Sequence, residues 1–150
     1  MNQPHWELQG RWDCAVFFRN LPAALPAATT RFVEGTSLAR DVDAFFRAAA
    51  VPGDYLPACQ TLWPRPKQYR LRCDGPTLAA LASLAERHAA AELLDHLFVY
   101  SGSEVLLEFP DAFCRGCTEY VSGNVEERRI GSFADALGVD LKRSVFRGQR

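Results

Sequence analysis

Five side chains in this sequence are of types that could do chemistry together: the thiols Cys114 and Cys117, the imidazoles His88 and His96, and the carboxylate Glu92 midway between the histidines. Cys-x-x-Cys is the spacing of redox dithiols and of half a structural zinc site. Redox use asks that the first cysteine open a helix, where unpaired N–H groups stabilise a thiolate. Here Phe109-Pro110-Asp111-Ala112-Phe113 precedes the pair, and Thr118-Glu119-Tyr120-Val121, a run of strand formers, follows it. There is no second Cys-x-x-Cys, so a four-ligand zinc set would need Cys59, Cys73, His88 or His96. The plainer reading is two small polarisable residues in a tight turn around Gly116.

His88, Glu92 and His96 fall at i, i+4 and i+8, and an unbroken helix would stack them on one side as an open metal site. His96 immediately precedes Leu97-Phe98-Val99-Tyr100, which reads as a strand. A helix ending near Ala90 separates the ligands. His88 is then expected at a helix edge and His96 bonded to a nearby carboxylate such as Asp95. No metal and no cofactor are assigned.

A third constellation is a surface. Trp63, Arg65, Lys67, Arg70 and Arg72 cluster within ten residues, on a proline-stiffened approach and the outward face of a strand. Tryptophan and arginine anchor protein interfaces because each offers large contact area with directional bonding. The same residues could stack and clamp RNA. As an ordinary solvated strand face, the segment would instead have its arginines paired with acids on a neighbouring strand.

Other signatures are missing. The chain has no G-x-S-x-G elbow, no G-x-G-x-x-G and no Walker loop, and Tyr100-Ser101-Gly102-Ser103 reads as a hairpin turn. Net charge is −1, which argues against a partner held by whole-protein electrostatics, nucleic acid included. No apolar run approaches the roughly 20 residues needed to span a bilayer, and Met1-Asn2-Gln3-Pro4-His5 is not the opening of an export signal. Five cysteines, an odd number, do not form a disulfide framework, so reduced thiols in a cytoplasm are expected, and abundant Ala and Arg beside few Lys suggest a bacterial gene.

These groups must be positioned by one domain, expected to span 1–150 with about eight frayed residues at each end. Ten Phe, four Tyr and three Trp supply its core without disulfides. The first strand is expected at Trp12–Phe18, and Pro22 and Pro26 rule out helix just after it. A second strand over Thr29–Glu34 leads to a helix capped by Thr36 or Ser37, with Leu38, Val42, Phe45, Phe46 and Ala49 inward. Residues 55–66 read as an extended, proline-interrupted connection.

In Gln68–Cys73, Gln68, Arg70 and Arg72 alternate with Tyr69, Leu71 and Cys73, the pattern of a half-buried strand. Pro76 opens a second helix through Leu78, Leu81 and Ala82, and Ala89–Asp95 is a further helical piece or a kinked extension. Leu97–Tyr100 and Glu104–Phe109 form a hairpin, placed at the sheet centre because Val105, Leu106 and Leu107 make both faces apolar. Thr118–Ser122 adds a strand. Asn124 and Glu127 read as the capping box of a last helix that Gly138 ends, before a basic tail.

The sum is an α+β fold: a mostly antiparallel sheet of about five or six strands with three helices mainly on one face. The expected function is a small cytosolic, non-catalytic protein-binding domain of adaptor, inhibitor or immunity type, using the aromatic–arginine surface. The alternatives are a thiol-redox or metal-binding enzyme built on Cys114 and Cys117 with His88 or His96, and an RNA-binding module on the basic strand.

Overall fold

The computed structural model describes residues 3–26, 29–53 and 65–144. In chain order these form β1 (His5–Gln9), α1 (Cys14–Ala24), β2 (Thr30–Gly35), α2 (Arg40–Ala49), β3 (Lys67–Arg72), α3 (Gly75–Ala85), α4 (Ala90–Leu93), β4 (His96–Ser101), β5 (Glu104–Phe109), β6 (Thr118–Ser122), α5 (Glu127–Leu137) and β7 (Asp140–Ser144). The strands make one sheet in the order β3-β2-β4-β5-β6-β1-β7, every neighbouring pair antiparallel. The fold is α+β as expected, but with seven strands and five helices among the described residues rather than five or six and three.

Two of the differences lie at the chain's ends. Residues expected to fray include His5–Gln9, which pair with β6 on one side and β7 on the other and bury Trp6 and Leu8. The basic stretch after Leu141 is the outer edge strand β7, with Lys142 opposite Glu7. Charge on an edge strand deters further pairing.

The third difference is Trp12–Phe18, expected as a strand and observed as the start of α1. Asp13 decides it: its carboxylate accepts the N–H of Val16 at 2.9 Å and caps the helix. Phe17, Phe18, Leu21 and Ala24 then share a buried face. Pro22 lies in the last turn with its ring exposed. There it costs the helix one hydrogen bond, and Leu25 N–H still reaches Leu21 O at 3.3 Å.

Two expected caps also differ. Neither Thr36 nor Ser37 caps α2, whose N-cap is Ala39; Thr36 turns to Asp95 instead. Asn124 does not cap α5 but donates to Glu104 at 2.8 Å, while Gly138 closes that helix in the left-handed region at φ 65° as expected.

β2, β3 and the β4–β5 hairpin lie close to their expected places, and the hairpin occupies the third and fourth of seven positions. Its turn is Gly102-Ser103, with Gly102 at φ 58°. The register slips between Val99 and Tyr100, leaving Leu106 as the extra residue of a bulge.

Side-chain alternation gives the two sheet faces different coverings. Val33, Leu71, Leu97 and Phe109 join residues of α1, α2, α3 and α5 in the main core. α1 packs against both α3 and α5, and an Arg19–Glu86 ion pair ties α1 to the end of α3. On the other face, Phe32, Phe98 and Tyr100 form a separate small cluster, with the first two ring centroids 6.1 Å apart.

Two charged side chains turn into the helix-covered core. Arg31 is fully buried; one terminal nitrogen donates to Arg72 O at 3.2 Å while Nε and Nη1 have no partner, and burial pulls its pKa down to about 10. Glu119, paired across the sheet with Leu8, is also fully buried with neither carboxyl oxygen bonded. Burial alone pushes its carboxyl well above the usual range, so the folded protein holds a proton that the unfolded chain releases above about pH 4.5.

The sign follows. Folded stability from this proton is complete below pH 4.5 and declines as pH rises towards the folded-state pKa, by at most about 1.4 kcal/mol per pH unit. Glu119→Gln keeps the shape and cannot ionise, so the variant should gain on the parent as pH rises. Urea denaturation at pH 5 and pH 7.5 measures this; a difference between the two proteins that is the same at both pH values would contradict it.

Candidate functional site

The residues singled out by type and spacing fall in three separate places. The first is the edge strand β3. Its main-chain alternation puts Gln68, Arg70 and Arg72 on the face that none of the described helices covers, opposite Glu34, Phe32 and Thr30 of β2. Gln68 donates to Glu34 Oε1 at 3.2 Å. Arg72 is exposed, Arg70 half-buried, and Arg65, just before the strand, is exposed. The outer edge of β3 is partly covered, since Val51 N–H donates to Arg70 O at 2.8 Å beside an Ala50–Leu71 bridge. Trp63 lies outside the described residues.

Lys67 has a different engagement from the arginines. Its ammonium donates to Asp43 Oδ2 at 2.8 Å, Arg47 donates to the same oxygen at 2.5 Å, and the Tyr69 hydroxyl donates to Oδ1 at 2.5 Å. Asp43 is nearly buried on α2, so this cluster fastens α2 to β3. The Lys67 and Tyr69 hydrogen bonds, with the charge of Arg47, hold the Asp43 carboxyl at about 2.

The second place is His88, on the turn between α3 and α4. Its Nε2 meets the Asp41 carboxylate at 2.8 Å, with Glu92 at 3.6 Å from Nδ1. Glu92 also accepts Ala89 N–H at 2.8 Å, closing the first turn of α4. As the strand run after His96 led one to expect, no continuous helix carries both histidines: α3 ends at Ala85, and His96 begins β4. The i, i+4, i+8 stack therefore does not form.

The third place gathers His96 and the cysteines. The loop from β5 to β6 carries Asp111 and Phe113 in the left-handed region, at φ 46° and 66°. Two bonds pin it to its neighbours, Ala112 N–H to Asp95 O at 2.8 Å and Asp111 N–H to His96 Nδ1 at 2.9 Å, and a third, Cys114 N–H to Asp111 O at 3.1 Å, closes a turn within it. Because Nδ1 accepts, the neutral imidazole carries its proton on Nε2. His96 was expected to bond a carboxylate such as Asp95; the carboxylate beside it is that of Asp111, 3.9 Å from Nδ1, while Asp95 takes both the backbone N–H and the hydroxyl of Thr36, at 2.7 and 2.6 Å.

Cys117 N–H donates to Cys114 O at 3.3 Å across Gly116, whose φ is 79°. Cys114 is exposed and Cys117 half-buried. Burial first, then the neighbouring Cys114, raises the Cys117 thiol to about 11. Strand β6 follows, so the pair does not itself open a helix.

Cys114 stands between two clefts. One, of about 390 Å³, is bordered by Thr36, Asp95, His96 and Asp111; the other, of about 510 Å³, by Arg11, Trp12 and Arg115. Sequence spacing found both cysteines and His96 but not Arg11 or Asp111, which approach only through the fold. Among the described residues no three His, Cys, Asp or Glu side chains converge on a point that could hold a metal ion, and no helix is long and apolar enough to cross a membrane. No known protein family, curated protein or solved structure matches this chain.

Asp43 offers a direct test of the α2–β3 fastening. Its depressed pKa means the stability it contributes is present above pH 3.8 and lost as pH falls towards about 2. Asp43→Asn should lower the urea midpoint at neutral pH and flatten the parent's acid-side loss between pH 4 and 2. Parallel acid profiles for parent and variant would disprove the assignment.

Proposed function

We propose that this chain is a small protein-binding domain of adaptor, inhibitor or immunity type, and that it docks an acidic surface of its partner on the β3 end of the sheet face that none of the described helices covers. The observation that carries this reading is the placement of guanidinium groups. Arg65 and Arg72 are exposed at that end, and Arg70 lies directly across from Phe32. Phe32 packs with Phe98 and Tyr100 beneath this face, which fixes β2 and β4 as a firm base for the arginines. Lys67 takes no part in docking on this reading, because Asp43 holds it.

An overall charge of −1 with cations gathered at one place suits local complementarity to one acidic patch. Arginine suits that role through planar, bidentate contact with carboxylates. The contacts are peripheral charges, so they govern association rate and salt dependence more than residence time.

The test compares the parent with an Arg65→Glu/Arg72→Glu variant and with Arg128→Glu, which reverses an exposed charge on α5. A protein captured from the source cells by the parent and by Arg128→Glu, but not by the double variant, is then purified and titrated by calorimetry. The expected result is a defined stoichiometry, with affinity at least about tenfold weaker for the double variant and weakened by salt. Equal binding to all three proteins, no partner at all, or a captured species that nuclease destroys would each overturn the reading.

A further inference from the structure

The Cys114–Cys117 turn is not used by the docking surface, and its geometry has a use of its own. A turn whose fourth N–H bonds the first carbonyl brings the first and fourth Cα atoms within about 7 Å, close to the range a disulfide spans. Here that bond is Cys117 N–H to Cys114 O at 3.3 Å. Phe113 anchors the turn, packing within 5.1 Å of Phe17 and Phe109 and 5.6 Å of Phe18, centroid to centroid. The exposed sulfur borders the cleft between Arg11 and Arg115, both exposed and neither in an ion pair among the described residues.

We propose that Cys114 and Cys117 are a reversible dithiol–disulfide site for an anionic low-molecular-weight disulfide, the kind carried by a carboxylate-bearing peptide thiol, with Cys114 as the attacking sulfur and Cys117 as the resolving one. Cys114 gives its proton to solvent, and its thiolate attacks one sulfur of the small disulfide. A bond forms between Cys114 and that sulfur, the original sulfur–sulfur bond breaks, and the leaving thiolate takes a proton. Cys117 then loses its proton and attacks Cys114 Sγ, displacing the second small thiol. Two protein thiols are oxidised by two electrons and one small disulfide is reduced to two thiols, so the exchange balances without a further oxidant.

Three features assign the order. Attack needs access, and Cys114 alone among the described cysteines is exposed. Cys14 and Cys73 are only partly exposed, and burial is the first cause raising both thiols, Cys14 to about 11. Capping Cys114 removes one of the causes that keep Cys117 protonated, which favours the second step once the first has happened. The guanidiniums of Arg11 and Arg115 favour a carboxylate-bearing disulfide over a cationic one.

The experiment incubates reduced protein with glutathione disulfide or, separately, with cystamine, and follows intact mass and peptide maps with time. The parent should pass through a mixed disulfide at Cys114 to a form two hydrogens lighter. Cys117→Ser should stop with one glutathionyl group on Cys114, and Cys114→Ser should leave residue 117 unmodified. Arg11→Ala/Arg115→Ala should slow reaction with glutathione disulfide by about tenfold and leave cystamine no slower. A stable mixed disulfide in the parent, modification of Cys14 or Cys73 as fast as Cys114, or equal Arg11/Arg115 dependence for both disulfides would overturn the proposal. Partner capture plays no part in these readouts, so this proposal and the docking surface can fail separately.

Discussion

Phe17 is the side chain on which the arrangement turns. It is fully buried, and its ring lies between 5.1 and 6.2 Å from those of Trp12, Phe18, Phe109, Phe113 and Phe133, centroid to centroid. Those partners come from the entry and first turn of α1, the end of β5, the loop beyond it, and α5. One ring therefore joins a helix to the sheet, a second helix to the first, and the cysteine turn to all of them. Edge-to-face and tilted pairs of this kind each add about 0.5–1.5 kcal/mol beyond the area they bury. The left-handed Phe113 persists because its ring is committed to this cluster, so the backbone strain of the loop is offset by packing.

What the sequence reveals follows from where local and tertiary forces agree. β3 was legible because Gln68, Arg70 and Arg72 alternate with Tyr69 and Leu71, and the β4–β5 hairpin because Gly102 sits between two apolar runs. The Phe17 helix was not legible in this way. Val16-Phe17-Phe18 is a β-former run by propensity, and only the Asp13 cap and the spacing to Leu21 and Ala24 mark a helix. Pro22 further disguises it, since it removes one bond of the last turn without ending the helix, which Leu25 N–H still closes on Leu21 O. β1 and β7 escaped for a different reason. Their pairing joins residues more than a hundred positions apart, and β7 is polar because it is an edge.

The site was legible in part for the same reasons. Cys114 and Cys117 are close in the chain, and no tertiary knowledge is needed to place them together. His96 joins them only because β4 starts where the β5–β6 loop crosses back, and Arg11 only because β1 inserts beside β6. The i, i+4, i+8 pattern of His88, Glu92 and His96 could make a site only on a continuous helix, and the strand run that follows His96 already argued against one. Asp41 from α2 and Asp111 from the loop each take one of the two histidines.

Strand β4 is what connects the thiol turn to the docking face, and its burial decides whether the two communicate. His96, Phe98 and Tyr100 project to one side, the first towards the cleft beside Cys114 and the others into the cluster under the arginines. Leu97 and Val99 project into the main core, so every residue from His96 to Tyr100 is buried. A strand packed on both faces and bonded on both edges cannot slide by a fraction of its register without losing core contacts. Closing a disulfide across a turn whose backbone bond already joins Cys117 N–H to Cys114 O asks for side-chain rotation and little backbone movement. The strain of oxidation stays within the turn, where Ala112 and Asp111 hold it to Asp95 and His96. A redox change at Cys114 therefore leaves the arginine face in place, and coupling between the two would require β4 itself to have a second packing, which a core this closely filled does not offer.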